Sequence, residues 1–501
     1  MPSTKIVCTI GPASRSEDIL ERLILAGMNV ARLNFSHGTY AEHIEVIERV
    51  RTISARLGKP VAILQDLQGP KIRTGPLQNH NPVLLISGKP FTLTTRPIIG
   101  DSATVSTTYQ HLPQDVKPGD HILLADGLLE LQVTDTTTTD VHCHILHGGT
   151  LGEHKGINLP GVAVSAQALT EKDIDDLRFG IAQGVDFVAL SFVRHPSDIH
   201  AARAAIAEAS NLAVSTTPSA KAHSSGSSTS KPPPRTPPII AKLEKPEAIA
   251  HLNAILEAAD GVMVARGDLG VELPPEKVPL IQKRIIARAN ERGILVITAT
   301  QMLESMVSQP RPTRAEASDV ANAILDGTDA VMLSEETANG QYPVEAVEMM
   351  ARIAQETEPA CKLTPGATHP HHPTAAHAVS RAAHILANEA AVQAIVVFTR
   401  SGRSGQLISK ERPHIPIIAY TPFEQVYSQL SLWWGIIPRL LPLMDSTEKM
   451  IALVSQRLEQ EGLVHKGEKV VIMGGMPVVG PARTNFIKLH QIGGAGGTRV
   501  V

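Results

Sequence analysis

The chain has 501 residues, 43% of them hydrophobic, which is too much for one ordinary core and implies two to four domains. Charged residues make up 19% and the formal net charge is -3, a balance that offers no basic surface to nucleic acid or to an anionic membrane. Aromatic residues are only 3%, so base-stacking platforms are not expected and the cores must be built from Ala, Val, Ile and Leu.

Cys8, Cys143 and Cys361 lie far apart and form no CxxC pair. That argues against a disulfide framework or a cysteine zinc site and for a reducing compartment. The opening MPSTKIVCTIG lacks the apolar core of a signal peptide, and no apolar run reaches bilayer length. A cytoplasmic location is the expectation.

Residues 5–10 read as the first strand. A helix follows, with Ser16 as N-cap and Gly27 just past its end. Residues 30–35 form the second strand. Ile44, Ile47, Val50 and Leu57 then mark one face of a long helix stopped by Gly58. The third strand is 61–66. From about Lys71 to Ser165 there are only short strands, threonine runs and Gly/Pro turns, so 71–166 is expected to be an inserted small β-barrel domain.

The α/β rhythm then resumes. Thr170 with Asp173 resembles a capping box. Strands are predicted at 186–192, 239–244, 261–266, 294–300 and 330–334, each followed by a helical segment, the last being 343–358. Eight β-then-α units over 1–70 and 167–360 imply a closed parallel (β/α)8 barrel of the TIM type. An open doubly wound sheet would need no such count. Residues 215–238, rich in Ser, Thr, Pro and Lys, read as a disordered insertion, and 364–374 as an interdomain linker. Residues 374–501 read as a further α/β domain, with a helix from about Ala375, strands at 394–398 and 417–419, and a helix near 405–410.

Function in such a barrel sits at the C-terminal ends of the strands. Those ends here carry Asn34 and Ser36, then Asp66, Lys242, Glu244, Arg266, Gly267, Asp268, Thr300, Ser334, Glu335 and Glu336. Two convergent carboxylates, Glu244 and Asp268, suit a hard divalent cation completed by substrate oxygens and water. Lys242 stands two residues before Glu244 and shares its strand face. A lysine there can neutralise a transferring phosphoryl group. Arg32 and Arg73 offer planar forks for phosphate or carboxylate. Thr300 could hold a water or join a proton relay. On spacing alone these groups also read as ordinary rim charges paired with one another. His142, His144 and His147 read as an exposed strand rather than a metal site, and Trp433 and Trp434 as packing residues.

The stretches TKIVCTIGPASR, NVARLNFSHGT, DLQGPKIRTG, KGINLPG, AKLEKPEAI, MVARGDLGVE, ITATQMLESM and MLSEETANGQYPVEAV, in this order, resemble the pyruvate kinase family. SRAAHILA, VVFTRSGRSGQLISKERP and ARTNFIKLHQIG resemble its C-terminal regulatory domain. The resemblance covers nearly the whole chain apart from 215–238. It implies a glycolytic enzyme that converts phosphoenolpyruvate and ADP to pyruvate and ATP.

The same resemblance implies roles. Glu244 and Asp268 would hold Mg2+, for which Mn2+ can substitute, and a second Mg2+ would arrive with ADP. Lys242 and Arg32 would stabilise phosphoryl transfer, and Thr300 would stand near the face where the enolate is protonated. The backbone amides around Ala265, Arg266 and Gly267 would hold the substrate carboxylate. His37, Arg73 and Lys155 would face the nucleotide, with Lys155 in a lid that closes over the barrel mouth. Thr399, Ser401, Gly402, Arg403 and Ser404 would bind a phosphorylated allosteric effector, and a homotetramer is expected.

One position departs from the potassium-dependent pattern. Asn34, Ser36, Asp66 and Leu67 occupy the places of a monovalent-cation pocket, yet Lys71 stands where potassium-dependent members carry Glu in GPEIRTG. A lysine ammonium could replace the cation's charge, so the enzyme is expected to be K+-independent. Two other readings stay open at this point. Lys242 could form a Schiff base as in a lysine aldolase, or the chain could be a metabolite-binding scaffold of this family that has lost catalysis.

Overall fold

A computed structural model describes residues 2–162, 164–165, 167–216, 236–361, 374–476 and 483–493. Most of the 215–238 insertion and of the 364–374 linker therefore lies outside the described residues. Eight strands build the barrel: β1 (Lys5–Thr9), β2 (Met28–Asn34), β3 (Ala62–Asp66), β4 (Phe187–Leu190), β5 (Ile239–Leu243), β6 (Gly261–Ala265), β7 (Leu295–Ala299) and β8 (Ala330–Leu333). They run parallel in sequence order, and β8 closes on β1 with Lys5 opposite Ala330.

The strands read as continuous apolar runs because both of their faces are buried. Val7, Val30, Leu64, Ile240, Met263 and Ile297 fill the barrel interior. Alternate residues such as Ile6, Cys8, Ala31, Ile63 and Val262 pack outward against the helices. Local signals set the helix ends. Ser16 caps Glu17–Ala26, and Thr170 and Asp173 form a reciprocal capping box. Gly58 ends Tyr40–Leu57 at φ 62°, a left-handed conformation that costs glycine little.

Between β3 and β4 the chain leaves the barrel's C-terminal rim to form the insertion. Its strands make a six-stranded sheet and a separate two-stranded ribbon. Both wrap one core around Phe91, Leu93, Ile122, Leu131 and Ile145 rather than closing into a single hydrogen-bonded ring. The C-terminal domain is a five-stranded sheet in the order Ile436–Leu440, Ile417–Thr421, Ala394–Phe398, Lys469–Gly475 and Thr484–Gln491, the last strand antiparallel. It docks on the opposite, N-terminal end of the barrel, where Lys5 Nζ donates to Ile436 O at 2.8 Å. The insertion thus covers the rim expected to carry chemistry, and the C-terminal domain holds the base.

Candidate active site

The strand ends bring Arg32, Asp66, Lys242 and Glu244 into one buried network. Arg32 Nε donates to Asp66 Oδ2 at 2.7 Å, and its Nη1 donates to Thr9 Oγ1 at 2.8 Å. Lys242 Nζ lies 3.3 Å from Asp66 Oδ1 and 2.9 Å from Glu244 Oε1, and donates to Ser191 Oγ at 2.9 Å. Burial pushes the Asp66 carboxyl up, but Lys242 and Arg32 together outweigh it and hold it below the usual range. For Lys242 burial works against the charge, and Asp66 and Glu244 win, raising its pKa. The lysine is therefore a fixed cation rather than a free amine, which is the wrong state for Schiff-base chemistry.

Glu244 is different. Burial raises its pKa, Lys242 opposes this, and Asp268 adds to it. Its Oε2 accepts from Phe192 N at 2.7 Å. Its Oε1 is fully buried and lies against the Lys242 ammonium at 2.9 Å. A buried carboxylate whose pKa is raised by burial and by a second carboxylate near it, with Lys242 as its cationic partner, fits a divalent cation between Glu244 and Asp268. No cluster of three His, Cys, Asp or Glu side chains suited to a metal occurs among the described residues. The pair would thus need substrate oxygens and water to complete a shell.

Thr300 follows β7 at φ 69°, and Gln301 at φ 52°. Such values are costly for a β-branched residue and persist only where neighbours over-determine them. Here Thr300 Oγ1 accepts from Gly267 N at 2.7 Å and donates to Ala299 O at 2.6 Å. The Arg266 side chain turns away from the site, to Asp319 at 2.6 Å and Thr300 O at 2.7 Å. Only the backbone of Ala265, Arg266 and Gly267 remains on the site's side. Sequence reasoning missed the brace behind this loop. Glu336 is fully buried, accepting from Leu303 N at 3.0 Å and Ser334 N at 2.7 Å. Its place at the end of the eighth strand is legible in the sequence, but its inward turn to brace the loop is not.

Above the network, lid and rim enclose a cleft of about 350 Å³ whose lining includes His37, Lys71, Arg73, Lys155, Asp268 and Glu335. Lys71 is half-buried and makes no ion pair among the described residues. Burial lowers its pKa, and Lys242 and Arg73 lower it further. At the positions of the monovalent-cation pocket, Asn34 Oδ1 accepts from Ser36 N at 3.1 Å and Leu67 O from Ser191 Oγ at 2.7 Å. Both Asp66 oxygens face cations, so the charges beside Asp66 are Lys242 and Arg32, with Lys71 higher in the cleft.

A second cavity, of about 550 Å³, lies in the C-terminal domain, and Thr399, Ser401, Arg403 and Ser404 are among its lining residues. Arg400 and Arg483 join them. Gly402 does not line it but caps the helix Arg403–Lys410 at φ 85°.

Comparison with known proteins agrees with this architecture. The model of the pyruvate kinase barrel domain matches residues 1–219 and 232–347, and that of the pyruvate kinase alpha/beta domain matches 377–490. Pyruvate kinase 2 of Synechocystis sp. is 46% identical over 492 residues, covering 98% of this chain and 79% of the relative. The pyruvate kinase of Geobacillus stearothermophilus is 46% identical over 494 residues, covering 98% and 80%. A crystal structure of a pyruvate kinase from Cryptosporidium parvum superposes with a TM-score of 0.88 at 35% identity, covering 98% of this chain and 96% of that one. The closed barrel, the C-terminal α/β sheet and these matches together place the chain in the pyruvate kinase family.

Proposed function

We propose that the chain transfers the phosphoryl group of phosphoenolpyruvate to ADP, giving pyruvate and ATP. The observation that carries this reading is the buried Arg32–Asp66–Lys242–Glu244 network beneath a cleft lined by Lys71, Arg73 and Lys155. Arg32 and Lys242 are held as cations at fixed positions, so they neutralise a transferring phosphoryl group without reorganising. The backbone at residues 265–267 receives the substrate carboxylate, which replaces Thr300 Oγ1 as the acceptor of the Gly267 N–H. Glu244 and Asp268 hold Mg2+, or Mn2+ in its place. The ion supplies electrostatic stabilisation of negative charge on the substrate's oxygens.

The Thr300 hydroxyl proton is already engaged with Ala299 O. Thr300 therefore orients a water that protonates the enolate, and does not give up its own proton. His37, Arg73 and Lys155 face the nucleotide, and the lid excludes water so that ADP accepts the phosphoryl group. Lys71 puts an ammonium in the cleft, which supports turnover without K+. The cavity at 399–404 takes a phosphorylated effector, and the assembly is a cytoplasmic homotetramer. No helix among the described residues is long and apolar enough to cross a membrane.

The test is ADP-dependent pyruvate formation from phosphoenolpyruvate with Mg2+ in K+-free buffer, comparing the intact protein with Lys242→Met. Turnover by the former and a loss of about a thousandfold in the latter are expected. No pyruvate from the intact protein, with candidate effectors present, would leave the scaffold reading in its place.

A further inference from the structure

Lid and barrel meet at one buried carboxylate. Glu272 ends the short helix Arg266–Glu272 and is only 5% exposed. Its Oε1 accepts from Asn158 Nδ2 of the lid at 3.0 Å and lies 2.5 Å from Lys245 Nζ. Beside this contact, Gly127 of the lid sits against Val271, whose Cγ1 would be 3.8 Å from a Cβ added at Gly127.

The chain positions of these groups matter. Lys245 directly follows Glu244. Glu272 lies four residues after Asp268, about one helical turn on, so the two share a helix face. The Lys245–Glu272 ion pair therefore braces the two segments that carry the paired carboxylates. Asn158 brings the lid to the oxygen at the centre of that brace.

We propose that Asn158, Glu272 and Lys245 are positioning residues that register lid closure and, through the same carboxylate, set the spacing of Glu244 and Asp268. The proposal rests on the reading of Glu244 and Asp268 as metal ligands. None of the three needs to touch the reacting atoms. A hydrogen bond to a buried, ion-paired carboxylate is charge-assisted, and losing it costs roughly tenfold in the equilibrium it biases. The brace acts differently: without its charge, the helix bearing Asp268 loses the tie that fixes it to the end of β5.

The two functions separate by mutation in the full chain, with Mn2+ alone as the metal probe. Hydrogen–deuterium exchange of residues 71–162 reads lid closure, spin resonance reads the Mn2+ dissociation constant, and steady-state rates give kcat and KM for ADP. Asn158→Ala should leave Mn2+ affinity within about twofold while exchange in the lid rises and kcat/KM for ADP falls about tenfold. Glu272→Gln keeps an acceptor for Asn158, so lid exchange should stay near that of the unaltered protein while Mn2+ affinity drops several-fold. Glu272→Ala should lose both, and adding Asn158→Ala to it should change nothing further. Equal behaviour of the two Glu272 variants in both readouts, or multiplying losses in the double variant, would overturn the proposal. Exchange and Mn2+ binding need no turnover. A protein that shows the split but makes no pyruvate would sink the proposed reaction alone, and one that turns over without the split would sink only this inference.

Discussion

Lys410 of the C-terminal domain places its ammonium 2.5 Å from Asp329 at the foot of β8, with both side chains almost wholly inside the protein. Asp329 also receives Arg412 at 2.7 Å and Val296 N at 2.8 Å. Burial lowers the Lys410 pKa from 10.5 to about 8, with Asp329 working against the shift and Arg412 with it. Below pH 8 the lysine is charged in both folded and unfolded chains. Between 8 and 10.5 the unfolded chain binds the extra proton, so this group makes stability rise with pH. The gain is on the order of 3 kcal/mol across that window. Lys410→Met lacks it. The urea midpoint of the unaltered protein relative to Lys410→Met should therefore increase from pH 7.5 to pH 10, and a constant or shrinking difference would refute the burial argument.

Lys71 gives a sharper chemical prediction. Its ammonium faces the cleft without an ion pair among the described residues. Lys71→Glu removes a positive charge and adds a negative one, a change of two charges in the cleft. Activity of the variant should become dependent on K+, at least about tenfold higher with K+ than with Tris as the sole monovalent cation. The unaltered protein should show little difference. Strong K+ activation of the unaltered protein would remove Lys71 from this role.

Glu336 supports the strained loop from behind. It satisfies two backbone amides, Leu303 N in the interior and the half-buried Ser334 N. Glu336→Ala leaves both unmet, a loss of about 2–4 kcal/mol in stability. It also loosens Leu303, three residues after Thr300, whose φ is 69°. Turnover should fall by about a hundredfold, a larger factor than the change in KM for phosphoenolpyruvate, because positioning rather than binding is lost. Equal changes in both parameters would point to general damage.

Why these residues differ in how well they could be read is a matter of sequence distance. The eight barrel strands announce themselves through apolar runs such as IVCT and VMVA, and Ser16, Thr170 and Gly58 through local capping chemistry. The strands Ile436–Leu440, Lys469–Gly475 and Thr484–Gln491 carry no comparable signal. Thr484–Gln491 is a half-exposed edge that alternates with lysine and histidine, and Lys469–Gly475 runs into glycines. At the site, chemistry-bearing residue types on strand ends were visible one by one. That Asp66 joins Arg32 to Lys242, that Arg266 turns to Asp319, and that Asn158 meets Glu272 across 114 residues depends on closure of the barrel and docking of the lid. No local pattern encodes such contacts.

The C-terminal cavity supplies the last prediction. Arg403 is exposed into it and makes no ion pair among the described residues, while Arg400 and Arg483 line the same space. Ser404 and Thr484 join hydroxyls at 2.7 Å across the wall, fixing polar groups beside the start of the helix Arg403–Lys410. Three guanidinium groups, hydroxyls and a helix start suit an anion, and a phosphate there would be held by charge-assisted bonds. The far end of that helix is Lys410, the residue buried against Asp329. Arg403→Glu should weaken the response to a phosphorylated effector, whether sugar phosphate or nucleoside monophosphate, by tenfold or more in the concentration for half effect. kcat at saturating phosphoenolpyruvate should not move, because the cavity lies in the domain at the opposite end of the barrel from the rim. Binding of the effector by calorimetry separates the cases. Lost binding with unchanged kcat supports the cavity as the site, and unchanged binding places the effector elsewhere.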